Sequence, residues 1–173
     1  MRFIVFSDNH RNREYLKKML TDNPDIKTVI SLGDSEMNEA ELTSMGIFGV
    51  KGNYPFDPRF PLELILEFEG FRFLFVHGHL FNVKNTLSQL KEKASSVNAD
   101  VVFYGHTHAS RIHEDHDLVF INPGALGTPY GAYLPSYAIV EANDSCLRVK
   151  IISAIDNAVV NDIKRTKTPR RER

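Results

Sequence analysis

Five short apolar runs in this chain each end on residues that can bind a metal ion, and this repetition restricts the fold more than any other feature. Residues 2–7 lead into Asp8 and His10, 27–32 into Gly33 and Asp34, and 46–50 into Gly52 and Asn53. Residues 71–76 lead into His77, and 100–104 into Gly105, His106 and His108. The runs are rich in β-branched and aromatic residues and only five or six long, so they read as buried strands. Between the first two, residues 12–23 carry Tyr15, Leu16, Met19 and Leu20 at helical spacing, and Pro24 stops the helix. Residues 36–45 have a helical composition. Strand–helix alternation of this kind predicts parallel pairing through right-handed crossovers.

The rhythm then changes. Residues 62–68 and 71–76 flank Glu69-Gly70 as a β-hairpin, and 83–96 read as a helix with Leu87, Leu90 and Ala94 on one face. Beyond Gly105 the chain is mostly β, over 110–114, 118–121, 137–141 and 147–153, with a turn at Asn143-Asp144 and a loop over 123–135. No internal repeat is visible. The expected fold is α/β, a layered sandwich of mixed β-sheets flanked by helices, with its ligand site beyond the carboxyl ends of the strands. We expect one domain over 1–156. The apolar pattern stops after Asp156, so 157–173 is expected to be a frayed, flexible basic tail.

Composition narrows the function classes. The net charge of -1 gives no global attraction to nucleic acid or a membrane surface. Residues 164–173 carry +5 and the remainder -6; the tail has no aromatic interleaving, so nucleic acid is not expected as a partner except as substrate. Cys146 is the single cysteine, which rules out an intrachain disulfide and argues against a thiolate zinc site. The leading apolar run, 3–6, is too short for a signal peptide or membrane span, so a cytoplasmic location is expected.

Each strand-end residue is ordinary alone, because Asp and Asn commonly form turns and a single His commonly fills a loop. Their strength is position: five strands deliver donors to one end. Carboxylate, amide carbonyl and imidazole together suit Mn, Fe, Zn, Ni, Co or Mg rather than a softer ion. Two divalent ions about 3.5–4 Å apart can share a carboxylate and a hydroxide. Their +4 against the -2 of Asp8 and Asp34 leaves positive charge to attract a phosphate ester.

Asp8-Asn9-His10, Gly33-Asp34, Gly52-Asn53, His77-Gly78-His79 and Gly105-His106-Thr107-His108 together resemble the motif set of the calcineurin-like metallophosphoesterases. The small size is similar to their compact bacterial and archaeal phosphodiesterase subgroup, as is Asn122-Pro123-Gly124-Ala125. The resemblance implies a binuclear centre, with Mn2+ the leading choice. Asp8, His10, Asp34 and His108 would hold one ion; Asp34, Asn53, His77 and His106 would hold the other, with Asp34 bridging. It further implies in-line attack on phosphorus by a metal-bridging hydroxide. The expected substrate is a small phosphodiester. A monoester or nucleotide at the same site, a single-metal hydrolase, and a non-catalytic scaffold like the small retromer subunit are the rivals. The filled ligand set favours the enzyme.

One position departs from the family. Many relatives follow Gly-Asn with a His that assists the leaving group, whereas here Tyr54 follows Asn53. A neutral tyrosine, with a reference pKa of about 10, is a poor acid at neutral pH. His79 is the substitute candidate, the alternative being a hydrogen bonder behind the ligands. Asn9, Tyr54 and Asn122 are candidate substrate contacts. Arg11 reads as a solvated surface residue. The apolar stripes leave room for a homo-oligomer.

Overall fold

Alternation along the central strands sends successive side chains to opposite faces, and the burial pattern follows it. In the computed structural model, which describes residues 1–127 and 133–167, β1 (Arg2–Phe6) turns Phe3 and Val5 to one side and Ile4 and Phe6 to the other. The next elements are α1 (Arg13–Asp22), β2 (Thr28–Ser31), α2 (Glu39–Ser44) and β3 (Ile47–Gly49). The hairpin β4 (Glu63–Phe68) and β5 (Phe71–Val76) follows, then a 3-10 turn at His79–Phe81, α3 (Ser88–Ser96) and β6 (Val101–Phe103). The chain continues through β7 (Arg111–Asp115), β8 (Leu118–Asn122), β9 (Ser136–Asn143), β10 (Cys146–Ser153) and β11 (Val159–Thr166).

These strands make two mixed sheets, ordered β11-β10-β9-β1-β2-β3 and β4-β5-β6-β8-β7. In the first sheet β1, β2 and β3 run parallel. In the second β5, β6 and β8 do. The main core lies between the sheets. Phe3, Val5 and Ile30 meet Phe73, Phe75, Phe103 and Ile121 there, all shielded from solvent. Phe75 stacks on Phe103 with centroids 5.4 Å apart, and Phe3 meets Phe73 edge-on at 5.4 Å. Such pairs add about 0.5–1.5 kcal/mol each to their burial. The outer faces have their own cores: Ile4, Phe6 and Val29 against Leu16, Met19 and Leu42, and Leu74, Val102 and Phe120 against Leu90 and Ala94. The layers are therefore helix, sheet, sheet, helix.

Helix starts follow local chemistry. The Asn12 side chain accepts from the Tyr15 N–H at 3.0 Å, and Asn38 from the Glu41 N–H at 2.8 Å. The helix expected over 83–96 begins only at Ser88. Asn82 sits at φ 53°, the Asn85 amide donates to its side chain, and Thr86 Oγ1 accepts from the Ser88 N–H. Short polar side chains capture the backbone there before a helix can form.

The tail departs from expectation too. Instead of fraying after 156, the chain adds β11 to the sheet edge, paired with β10 from Ile152↔Val159 to Cys146↔Thr166. Ile163 packs on the inter-sheet core, and Arg165 donates to the Asp117 carbonyl at 3.2 Å. An edge strand needs few apolar residues and tolerates Asp, Lys and Arg, so its pattern is thin in sequence. Residues 168–173 of the tail, and 128–132 of the 123–135 loop, lie outside the described residues. Among the described residues, no helix is long and apolar enough to cross a membrane.

Candidate metal centre

The parallel strands of both sheets end on one side of the molecule, and the loops there are stitched by their backbones. Asp8 N–H donates to the Gly33 carbonyl at 3.0 Å and His10 N–H to the Asp34 carbonyl at 3.2 Å. Gly105 N–H donates to the His77 carbonyl at 2.8 Å, which ties the ends of β5 and β6. Asp8, His10, Asp34, His106 and His108 all have φ between 43° and 68°. This left-handed conformation costs a residue other than glycine roughly 1–3 kcal/mol and persists where the surroundings impose it, as at ligand clamps. Two close approaches require glycine. A Cβ on Gly52 would lie 2.1 Å from Asp34 Oδ1, and one on Gly105 would lie 2.0 Å from Ser7 Oγ.

All seven expected ligands come together, in two contiguous groups. In the first, His108 Nε2 lies 3.1 Å from Asp8 Oδ1 and 3.3 Å from His10 Nε2, and His10 Nε2 lies 3.8 Å from Asp8 Oδ1. In the second, His77 Nε2 lies 3.4 Å from Asp34 Oδ2 and 3.0 Å from Asn53 Oδ1, and a ring nitrogen of His106 joins within 4.8 Å. The groups meet where His77 Nε2 lies 4.0 Å from Asp8 Oδ1.

The donors fit metal ions. Metal–ligand bonds of about 2.0–2.2 Å put neighbouring ligand atoms about 3.0–3.6 Å apart, which is close to the spacing here. Asp8 Oδ1 is buried with no hydrogen-bond partner. A buried carboxylate oxygen left unpaired is costly, and a cation between Asp8, His10 and His108 would satisfy it. The other imidazole nitrogens are already used. His77 Nδ1 bonds the Leu32 carbonyl at 2.8 Å and His10 Nδ1 bonds Glu36 Oε1 at 2.9 Å, so Nε2 of each ring is directed at the site.

The electrostatics agree. Burial opposes ionisation of Asp34, but the His77 hydrogen bond and charge outweigh it and hold the carboxyl down to about 2. Burial likewise works against Asp8, and the close approach of His108 with the charge of His77 still brings it below the usual range. Desolvation, with His77 and Lys84 nearby, pushes His106 down to about 4, so that ring is neutral and ready to ligate at pH 7. Desolvation and the charge of His77 also lower His79.

Sequence reasoning missed the residue that holds the cradle, Asp57. Its buried carboxylate accepts from the N–H groups of Asp34 at 2.9 Å, Ser35 at 3.1 Å and Gly52 at 2.7 Å. It thereby joins the loop after β2 to the loop after β3. Only its place after Pro55-Phe56 hinted at a turn. Glu36, which orients His10, was missed as well, as was the Ser7 hydroxyl that bonds Asp8 Oδ2.

The other candidates fall in different surroundings. His79 lies beside the second group, 5.4 Å ring to ring from His77, with its buried Nδ1 unpaired. Tyr54 donates its N–H to Asp34 Oδ1 at 2.9 Å, while its hydroxyl accepts from Arg11 at 3.0 Å. Arg11, expected to be merely solvated, thus bridges two site loops. Asn122 is fully buried. Its amide donates to the Gly105 carbonyl at 3.1 Å and Thr107 Oγ1 at 2.9 Å, and its carbonyl accepts from Gly124 N–H. It is committed to holding the histidine loop rather than free to meet a substrate. Asn9 is also fully buried, with its amide near Met37 Sδ at 3.3 Å.

Known proteins resemble this chain. Residues 1–145 match the model of the calcineurin-like phosphoesterase superfamily domain. The chain is 29% identical over 160 residues to a Bacillus subtilis protein named "Probable metallophosphoesterase YsnB", covering 92% of this chain and 95% of that one. It is 29% identical over 101 residues to the phosphodiesterase YfcE of Escherichia coli, covering 58% and 48% respectively. A solved structure from Streptococcus pneumoniae, described as a predicted phosphoesterase, superposes with a TM-score of 0.80 at 27% identity over 96% of this chain and 97% of that one. The ligand geometry, the strand-end loops and the match over most of the sequence lead to one conclusion: this chain belongs to the calcineurin-like phosphoesterase superfamily.

Proposed function

We propose that the protein is a phosphodiesterase working with two divalent ions, Mn2+ foremost. The observation that carries this reading is the pair of contiguous donor groups, one of them built around an unpaired buried carboxylate oxygen. Asp8, His10 and His108 would hold one ion; Asn53, His77 and His106 would hold the other, with Asp34 serving both. When bound, such ions supply an activated water and electrophilic charge for the phosphoryl oxygens.

The chain's own residues do the rest. Two carboxylates against two divalent ions leave net positive charge, which draws in the ester and stabilises charge building on its oxygens. His79, beside the second group, is the candidate to protonate the leaving group; desolvation and His77 lower its pKa, so only a small fraction of the rings carries that proton at pH 7. Tyr54 holds the position after Asn53 and is engaged by Arg11, so it supplies orientation rather than acidity. Good leaving groups such as aryl alcohols should therefore be preferred. Diester over monoester is favoured by the likeness to YfcE, which is named a phosphodiesterase.

The test is elemental analysis of the purified protein followed by hydrolysis of bis(p-nitrophenyl) phosphate and p-nitrophenyl phosphate with added manganese. Two ions per chain and faster diester hydrolysis are expected. No bound metal and no manganese-stimulated hydrolysis would overturn the proposal and favour the scaffold.

A further inference from the structure

A second cluster of charge lies outside the metal cradle. A groove of about 460 Å³ runs along the outer face of the second sheet, between the segment leading into α3 and strand β7. This volume falls within the range of small-molecule sites, roughly 300–1,000 Å³. Its walls carry Lys84, Lys91, Arg111 and His113 against a single carboxylate, Asp115. Lys91 and Asp115 cancel each other through a 2.6 Å ion pair at the far end of β7. Lys84 and Arg111 remain exposed, without an ion-pair partner among the described residues. Residues before 164 sum to -6, so a groove holding two free cations is a local reversal of sign.

The groove begins at the metal end. Arg111 follows His108 by three residues and sits opposite Asn122, whose side chain holds the Gly105–His108 loop. On the other wall, Val83 packs so tightly on the His77-Gly78-His79 turn that a Cβ on Gly78 would lie 2.9 Å from it. Lys84 is next, and its charge reaches His106. From Arg111 to Asp115 the strand advances about 13 Å. From there the groove continues past Lys84 and Arg111 towards His113, whose ring lies tilted against Phe120 at 6.2 Å.

We propose that the groove binds a second phosphate, carried on one arm of an extended phosphodiester, and so selects substrates bearing a further phosphate beside the scissile one. This deepens the proposed phosphodiesterase activity and rests on it. Lys84 and Arg111 are the anion contacts; the half-buried His113 provides a surface for the organic part of the arm.

The experiment compares the thymidine dinucleotide TpT with pTpT and TpTp, which differ only in a terminal phosphate at one end or the other. With manganese-loaded wild type, one of the two phosphorylated forms should show a KM about tenfold below that of TpT, and added salt should erode the gain. Arg111→Glu should abolish that gain while leaving the KM for bis(p-nitrophenyl) phosphate unchanged, and Arg111→Lys should restore most of it. Arg111 is exposed on an edge strand, so both variants keep the fold. Equal KM values for all three dinucleotides, or an Arg111→Glu loss equal on every substrate, would overturn the proposal.

A second arm separates the two claims. In metal-free protein, pTpT and TpTp are titrated while the backbone amides of Thr86, Ser88, Arg111 and His113 are followed by NMR. Shifts at these amides in a protein that hydrolyses no diester would sink the phosphodiesterase reading, and with it the role in substrate selection. Diester hydrolysis with no such shifts and no KM gain would sink the groove alone.

Discussion

The two sheets bring different chemistry to the same site and hold it by different means. The first sheet supplies Asp8, His10, Asp34 and Asn53; the second supplies only histidines, His77, His106 and His108. The carboxylate side is clamped by another carboxylate, Asp57, whose charge is absorbed by the N–H groups of Asp34, Ser35 and Gly52. The histidine loop after β6 hangs on a neutral amide, Asn122. The difference follows from charge. A backbone that must present Asp34 beside Asp8 needs its own donors fixed by a strong acceptor, and a ring of N–H groups makes burial of that acceptor affordable. A loop carrying imidazoles in place of carboxylates has no such demand.

If that contrast is right, substitutions should rank accordingly. Asp34→Ala removes the donor assigned to both ions, so diester hydrolysis should fall by roughly 10³-fold or more, since several kcal/mol of transition-state stabilisation goes with the ions. Elemental analysis should show metal lost from both groups, whereas His108→Ala should lose the first ion alone. Equal stoichiometry in the two variants would break the assignment of Asp34 to both.

Asp57→Asn comes next. It replaces an anionic acceptor with a half-donor amide facing four backbone N–H groups, and metal affinity should drop by up to about 100-fold, the upper range for residues that orient ligands. A titration with Mn2+ that matched wild type would reduce Asp57 to an ordinary turn former. Glycine substitutions should show the same asymmetry more weakly. Gly52→Ala drives a methyl into Asp34 Oδ1 and within 2.5 Å of its backbone nitrogen, and should cost about 2–3 kcal/mol of stability. Gly105→Ala meets first the Ser7 hydroxyl, which can rotate away, and then Ser7 Cβ and Asp8 Oδ2 at 2.9 Å, which relieve less easily, and should cost about 1–2 kcal/mol. Chemical denaturation of the metal-free variants measures both.

The same contrast explains what was legible in the sequence. Strand ends punctuated by Gly, Asp, Asn and His mark the seven residues that the structure gathers, because a residue proposed to hold an ion there must stand where a strand stops and carry a donor atom. Asp57 carries no such mark. Its partners are mainly backbone N–H groups, those of residues 34, 35, 36 and 52, and any sequence can supply those. Asn122 was visible as part of an Asn-Pro-Gly loop, but its direction was not: only the pairing of β8 between β6 and β7 shows that it faces the Gly105 carbonyl instead of the opening. Strand β11 was obscured for a related reason. Its stability comes from the β10 ladder and from Ile163 and Arg165, not from an apolar alternation.

The smallest effect on metal affinity belongs to Asn122 and is the sharpest test of the comparison. Asn122→Ala leaves the Gly105 carbonyl and Thr107 Oγ1 without their buried donor and Gly124 N–H without its acceptor. His106 and His108 would remain on the same loop, still pinned by Gly105 N–H to the His77 carbonyl and by His106 N–H to Asp8 Oδ2 at 3.1 Å. Metal affinity should therefore fall by only about tenfold, the lower range for such supports. Asn122→Asp discriminates further. It keeps the acceptor for Gly124 but turns a carboxylate towards the Gly105 carbonyl, so it should be worse than alanine if the amide's donors matter and equal to wild type if only the Gly124 contact does. A Mn2+ titration of both variants beside Asp57→Asn would show whether the neutral anchor is truly the weaker of the two.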